Sequence, residues 1–238
     1  MKKIAVTLWR QIDLVILVAA AVLMLSGYLF IEIADEVLEG DLQRYDEKIL
    51  QLLRDPADRH NPIGPEWLEQ IGRDITALGS AAVLTLLTAA VSVYLLITGH
   101  KKTLLLLLVV VIGGGLLAYG FKNFVGRPRP EFMSRLTLET SDSFPSGHAM
   151  LAAVVYLTLG VLMARTTASI RLKIYFIAIA LVVTLLVGFS RVYLGVHYPT
   201  DILGGFSGGF VWALLCWIIA YWLQKRGKIE QQTEDPAP

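Results

Sequence analysis

The sequence predicts an all-α, polytopic membrane helix bundle of six transmembrane helices with both termini cytoplasmic. Three observations predict it. Of 238 residues, 55% are hydrophobic and only 17% charged, where a soluble domain is nearer a quarter charged. The apolar residues gather into six runs, each too long for a buried strand and without the alternation of a membrane barrel. Lys and Arg cluster at alternate connections between those runs. With a mean hydropathy of +0.60 the chain must bury or insert itself, which excludes disorder for its bulk. The single cysteine, Cys216, lies inside an apolar run and excludes a disulfide scaffold. A net charge of +1 argues against nucleic acid as a partner.

The first run, Leu14–Ile31, is longer than the apolar core of a signal peptide. It has no small-x-small cleavage site after it and reads as a retained helix. The loop that follows, 32–75, is long enough to carry structure of its own. Leu42, Tyr45, Ile49 and Leu52 recur there at helical spacing among charges, and Trp67, Leu68 and Ile71 suggest a second short helix after Pro65. Both are placed at the headgroup level, as a cap on the bundle rather than a gate for substrate. Asp74 or Thr76 is expected to cap the second run, Ala77–Gly99. The third, Thr103–Phe121, carries no charge; the fourth, Ala149–Ala164, extends backwards through Ser146. Ile174–Ser190 and Ile202–Leu223 complete the set. Gly113–Gly115, Gly204, Gly208 and Gly209 read as close helix-packing positions. Residues 1–229 thus form one transmembrane domain, and 230–238 a polar tail expected to be disordered.

Charge orients the bundle. Lys2, Lys3, Arg10, Lys101, Lys102, Arg165, Arg171, Lys173, Lys225, Arg226 and Lys228 fall on one face, whereas the first loop holds twelve acids against five bases. The basic face is cytoplasmic by the positive-inside rule. Segments 122–148 and 191–201 then lie on the opposite, extracytoplasmic side, and every unusual polar cluster of the chain is in them.

There are three such clusters. The first, Lys122 to Pro130, carries Lys122, Arg127 and Arg129 in a turn-rich segment broken by Gly126, Pro128 and Pro130. Arg forks and a Lys point charge suit phosphate oxygens, although taken alone the cluster reads equally as cations snorkelling to headgroups. The second, Phe144-Pro145-Ser146-Gly147-His148, begins a helix. Ser146 is a plausible cap, Gly147 admits close approach of an anion to free backbone N–H groups, and His148 sits in the first turn. The third runs from Ser190-Arg191 to His197 and Asp201, four residues apart, the spacing at which a carboxylate can fix an imidazole's tautomer and raise its basicity.

Of four histidines, His60 and His100 read as ordinary surface residues and the other two fall in these clusters. Two histidines, a carboxylate and several cations on one face suit phosphoryl transfer. Two His and one Asp barely suffice for zinc, and Lys122, Arg129 and Arg191 would repel the ion, so metal-free chemistry without a cofactor is expected.

Together the clusters resemble the type-2 phosphatidic acid phosphatase family, whose active site is shared with vanadium haloperoxidases. Its first motif is Lys, six residues, Arg-Pro, here Lys122 to Arg129-Pro130; its second is Pro-Ser-Gly-His, here Pro145 to His148. The third is Ser-Arg, five residues, His, three residues, Asp, here Ser190-Arg191, His197 and Asp201. Arg127 falls outside these fixed positions. The resemblance implies hydrolysis of a membrane lipid's phosphomonoester or diphosphate at the extracytoplasmic face of the plasma (inner) membrane. It implies His197 as nucleophile through a phosphohistidine, Asp201 as its orienting group, and His148 as general acid. Lys122, Arg129, Ser146, Gly147 and Arg191 would hold the phosphate. Polyprenyl diphosphate, phosphatidylglycerol phosphate, phosphatidic acid and diacylglycerol pyrophosphate are the substrates implied, with no protein partner required. A lipid-to-lipid phosphotransferase would share every one of these residues. A non-catalytic phospholipid transporter would instead need a polar ladder through the helices, and helices one to five show none.

Overall fold

A computed structural model describes residues 14–131 and 141–225. Among these residues every regular element is helical: α1 (Leu14–Glu39), α2 (Gln43–Leu52), α3 (Glu66–Ala77), α4 (Ala81–Ile97), α5 (Lys101–Val125), α6 (Gly147–Ala164), α7 (Ile170–Tyr193) and α8 (Pro199–Lys225). Helices α1, α5, α6, α7 and α8 are long and apolar enough to cross a membrane. The α3–α4 pair, bent by 44° at its break, makes a sixth if it counts as one span. Met24, Leu86, Leu116 and Leu185 are among the large apolar side chains turned outward, a surface that water would not tolerate but lipid solvates. The expected tail, 230–238, lies outside the described residues.

Several boundaries differ from those the hydropathy runs imply. The first helix does not stop at Ile31. No breaker intervenes before Gly40, at φ +83°, so Glu32 to Glu39 extend α1 and do not belong to the loop. The second spanning run was expected to be capped by Asp74 or Thr76. Both lie inside α3; Ser80 caps α4, its Oγ accepting the Val83 N–H at 3.3 Å. The break has a packing cause as well. A Cβ on Gly79 would stand 2.4 Å from Val187 Cγ1 and 3.4 Å from the His148 side chain. The third run continues to Val125, which places Lys122 in the last turn of α5 rather than in a loop; Gly126, at φ +62°, ends the helix by donating its N–H to Lys122 O at 2.9 Å.

The two short helices form where predicted, but the inward side of α2 is mixed and carries an acid beside a leucine. Asp46 and Leu50 are buried, while Tyr45, Ile49 and Leu52 are exposed. In α3, Trp67 and Ile71 are likewise exposed. Outward apolar faces beside charges are what helices at a headgroup layer present.

The bundle closes around α6, and small residues bring its neighbours near. A Cβ on Gly205 would lie 2.8 Å from Ser146 O, and one on Gly209 2.8 Å from Met150 O, so the backbones of α6 and α8 touch. Gly113 and Gly114 receive the Trp212 ring, whose Nε1 donates to Val110 O at 2.7 Å. The α6–α8 contact has a functional consequence: the Ser146 N–H donates to Asp201 O at 3.0 Å, fixing the start of α6 on the start of α8.

Candidate active site

The end of α5, the start of α6, the end of α7 and the start of α8 meet at one end of the bundle. Their side chains form a floor and a rim. The floor is buried: His197 is 1% exposed, Asp201 0%, Ser143 0% and Ser146 0%. Lys122, Arg129, Gly147 and His148 are half-buried and form the rim.

Pro199 is the first residue of α8, where a ring that fixes φ and lacks an N–H is well tolerated. It leaves His197 just outside the helix, with Asp201 in the first turn. Their side chains meet, His197 Nδ1 to Asp201 Oδ2 at 3.3 Å. The same Oδ2 accepts the Tyr198 N–H at 2.8 Å and the Ser143 hydroxyl, whose oxygen is 3.2 Å from His197 Nδ1. On the other side of the ring, Arg129 Nη1 lies 3.3 Å from Nε2 and donates to Val196 O at 2.9 Å. A carboxylate at Nδ1 and a guanidinium at Nε2 select the tautomer protonated on Nδ1, which leaves the Nε2 lone pair on the rim side.

The cations of the first cluster share a neighbour. Arg129 Nε donates to Ser141 O at 2.7 Å, and Lys122 Nζ donates to Asp142 O and to Ser141 Oγ, the latter at 3.4 Å. Lys122 also reaches α6, with Cε 3.7 Å from the point where a Cβ on Gly147 would stand. Ser146 caps α6 as expected, accepting the Ala149 N–H at 3.5 Å. Arg191 is buried, donates to Thr76 Oγ1 at 3.2 Å, and with Arg129 disfavours protonation of His197. His148 stands in the first turn of α6 against Gly79 at the α3–α4 break. The fold therefore brings the three sequence clusters to one place.

Burial is the main cause that pushes the His197 imidazole down, to about 4, with the Asp201 carboxylate opposing it and Arg191 and Arg129 adding to it. The ring is then neutral at physiological pH. A histidine NMR titration, assigned by the resonance missing in His197→Ala, should place the midpoint near 4. A midpoint at or above the ordinary 6.5 contradicts this picture. The sign for stability follows. The unfolded chain takes up a proton below about 6.5 that the folded chain refuses until about 4, so the stabilisation is complete above that window and is lost as pH falls through it.

Sequence reading missed two parts of the floor. Ser143 has no local signature, since its side-chain partners, His197 and Asp201, lie more than fifty residues away, just before and within the first turn of α8. Arg127 is visible as a third cation but not as a buried one: it is 6% exposed and bonded to Asp201 Oδ1 at 2.7 Å.

Residues 103–225 match the PAP2 superfamily. A curated relative, phosphatidylglycerophosphatase B of Bacillus subtilis, is 36% identical over 187 residues, which cover 76% of this chain and 86% of that protein. Lipid A 1-phosphatase of Rhizobium johnstonii is 29% identical over 113 residues, 44% of this chain and 42% of that protein. Among solved structures, a transmembrane PAP2-type phosphatidylglycerolphosphate phosphatase from Bacillus subtilis superposes with a TM-score of 0.73 at 32% identity, covering 84% of this chain and 96% of the other. Sequence, fold and named relatives agree that this chain belongs to the PAP2 superfamily as a membrane phosphatase, a hydrolase acting on phosphoric ester bonds.

Proposed function

We propose that the protein dephosphorylates a membrane lipid at the extracytoplasmic face, by attack of His197 on phosphorus and without a metal ion. The observation that carries this reading is the His197 ring, held at Nδ1 by Asp201 and faced at Nε2 by Arg129. Lys122, Arg129, Arg191, the Ser146 hydroxyl and the free N–H groups at Gly147 would hold the phosphoryl oxygens and neutralise their charge in the transition state. His197 Nε2 forms the N–P bond as the P–O bond to the lipid breaks, and His148 gives its proton to the departing lipid oxygen. Water, deprotonated by His148, then attacks the phosphohistidine, the N–P bond breaks, and phosphate leaves with His197 restored. Asp201 keeps the ring in its tautomer and balances the charge that develops on it.

The substrate placed first is phosphatidylglycerol phosphate, because the Bacillus subtilis relative and the solved Bacillus subtilis structure are named for it. Polyprenyl diphosphate, phosphatidic acid and diacylglycerol pyrophosphate share the chemistry the site reads, a phosphate in water on an apolar tail. The basic connections on the opposite face support cytoplasmic termini and an outward-facing site.

The test is phosphate release by the purified protein in detergent with EDTA present, across those four lipids and alongside His197→Ala. Release by the wild type alone is expected. Loss of activity in EDTA with rescue by zinc would overturn the metal-free reading. Phosphate appearing only on an added acceptor lipid would convert the hydrolase into a phosphotransferase.

A further inference from the structure

The Asp201 carboxylate has two oxygens, and its pairing with His197 uses one. Oδ2 serves His197, Ser143 and the Tyr198 N–H. Oδ1 takes Arg127 Nη1 at 2.7 Å. Both terminal nitrogens of that guanidinium have further partners behind it. Nη1 also donates to Thr200 Oγ1 at 2.8 Å, and Nη2 donates to Asp46 Oδ2 at 2.8 Å and to Gln43 Oε1 at 2.7 Å. Its Cζ lies over the Tyr198 ring, 4.2 Å from the ring centre. Asp46 is held in turn by the Thr200 N–H at 3.1 Å and by the Thr200 hydroxyl. Asp46 and Gln43 belong to α2, in the first loop, far from the three motifs in sequence. Arg127 is 6% exposed and Asp46 1%.

A buried Asp–Arg–Asp triad is an expensive way to join a loop helix to a bundle. Apolar side chains of similar volume usually do so as well or better. What apolar packing cannot do is fix the plane of a carboxylate. An Arg fork with both ends committed allows only one orientation of its partner oxygen, and partners behind a reacting group commonly control its geometry in this way.

We propose that Arg127 is a positioning residue for the reaction and that Asp46 of α2 sets it. Together they lock the Asp201 carboxylate with Oδ2 toward His197 Nδ1, which keeps the Nε2 lone pair aimed at phosphorus. Arg127 touches no substrate and acts only through Asp201. The inference rests on the function proposed above, since the plane of Asp201 matters only if His197 attacks.

The experiment compares Arg127→Gln, Arg127→Lys and Asp46→Asn with the wild type and His197→Ala, all in detergent. Folded protein is counted by size exclusion, and lipid-phosphate turnover is expressed per folded molecule. By analogy with groups that orient a reacting ligand, kcat should fall about 100-fold in Arg127→Gln and about 10-fold in Asp46→Asn, with KM within about 2-fold. Arg127→Lys keeps the charge without the fork and should fall between them. The acid limb of kcat/KM should also move up in Arg127→Gln, because the whole Asp201 charge then acts on His197.

A structural staple predicts something else: lower thermal stability with wild-type kcat and an unmoved pH profile in every molecule that remains folded. That result overturns the proposal. If Arg127→Gln does not fold, Asp46→Asn, which preserves shape, carries the comparison alone. If the wild type itself releases no phosphate, the function falls and this inference with it. If the wild type is active and the variants match it per folded molecule, only this inference falls.

Discussion

His197→Ala should reduce phosphate release by at least about 10⁴-fold, the scale on which hydrolases lose activity when a nucleophile and its base act as one unit. The methyl group of alanine can form no bond to phosphorus, and no other side chain on the floor can replace Nε2. Ser143 is the nearest hydroxyl, but it donates to Asp201 and lies on the Nδ1 side of the ring. The fold should survive. His197 is buried but bonds only to groups that have other partners: Asp201 keeps Arg127, Ser143 and the Tyr198 N–H, and Arg129 keeps Ser141 and Val196. Inorganic phosphate, the product, which needs no bond to the ring, should still bind. Phosphate release within about 100-fold of wild type, measured on folded protein, would remove His197 from the role of nucleophile.

Asp201→Asn should lower kcat by about 10³- to 10⁴-fold while leaving the affinity for inorganic phosphate nearly unchanged. The carboxylate accepts from four groups, and every one of them is a donor in this tautomer. An amide has to point its NH₂ at some of them. With the NH₂ toward Arg127 it meets a guanidinium. With the NH₂ toward His197 it forces the ring proton onto Nε2 and abolishes the lone pair that attacks. Either orientation harms the chemical step and leaves the phosphate-holding groups in place. A fall in kcat of less than about 10-fold, or a matching loss of affinity for inorganic phosphate, would show that Asp201 serves the architecture rather than the imidazole.

The split between what the sequence shows and what it hides has a physical pattern. Spanning helices are legible because lipid demands long uninterrupted apolar runs. Lys122, Arg129, His148 and His197 are legible because cations and imidazoles at the ends of such runs are out of place unless something uses them. The α3–α4 break was misplaced because Gly79 and Ser80 look like the interior of an apolar stretch. Only the Val187 and His148 side chains, arriving from α7 and α6, show why a glycine is there. Asp46 was hidden by its own helix. The apolar stripe of α2 draws attention to Tyr45, Ile49 and Leu52, yet the face that packs inward carries an acid whose partners, Arg127 and Thr200, lie 81 and 154 residues away. A periodicity argument finds which residues share a face, but not whether that face meets lipid or protein.

The central claim is that His197 carries the phosphoryl group. The most direct measurement is a rapid quench of the purified enzyme with phosphorus-labelled phosphatidylglycerol phosphate, in EDTA, followed by peptide mapping of the protein-bound label. The account predicts label on the peptide containing His197, formed within one turnover, lost as phosphate appears, and absent in His197→Ala. Turnover with the label on any residue other than His197 would contradict it.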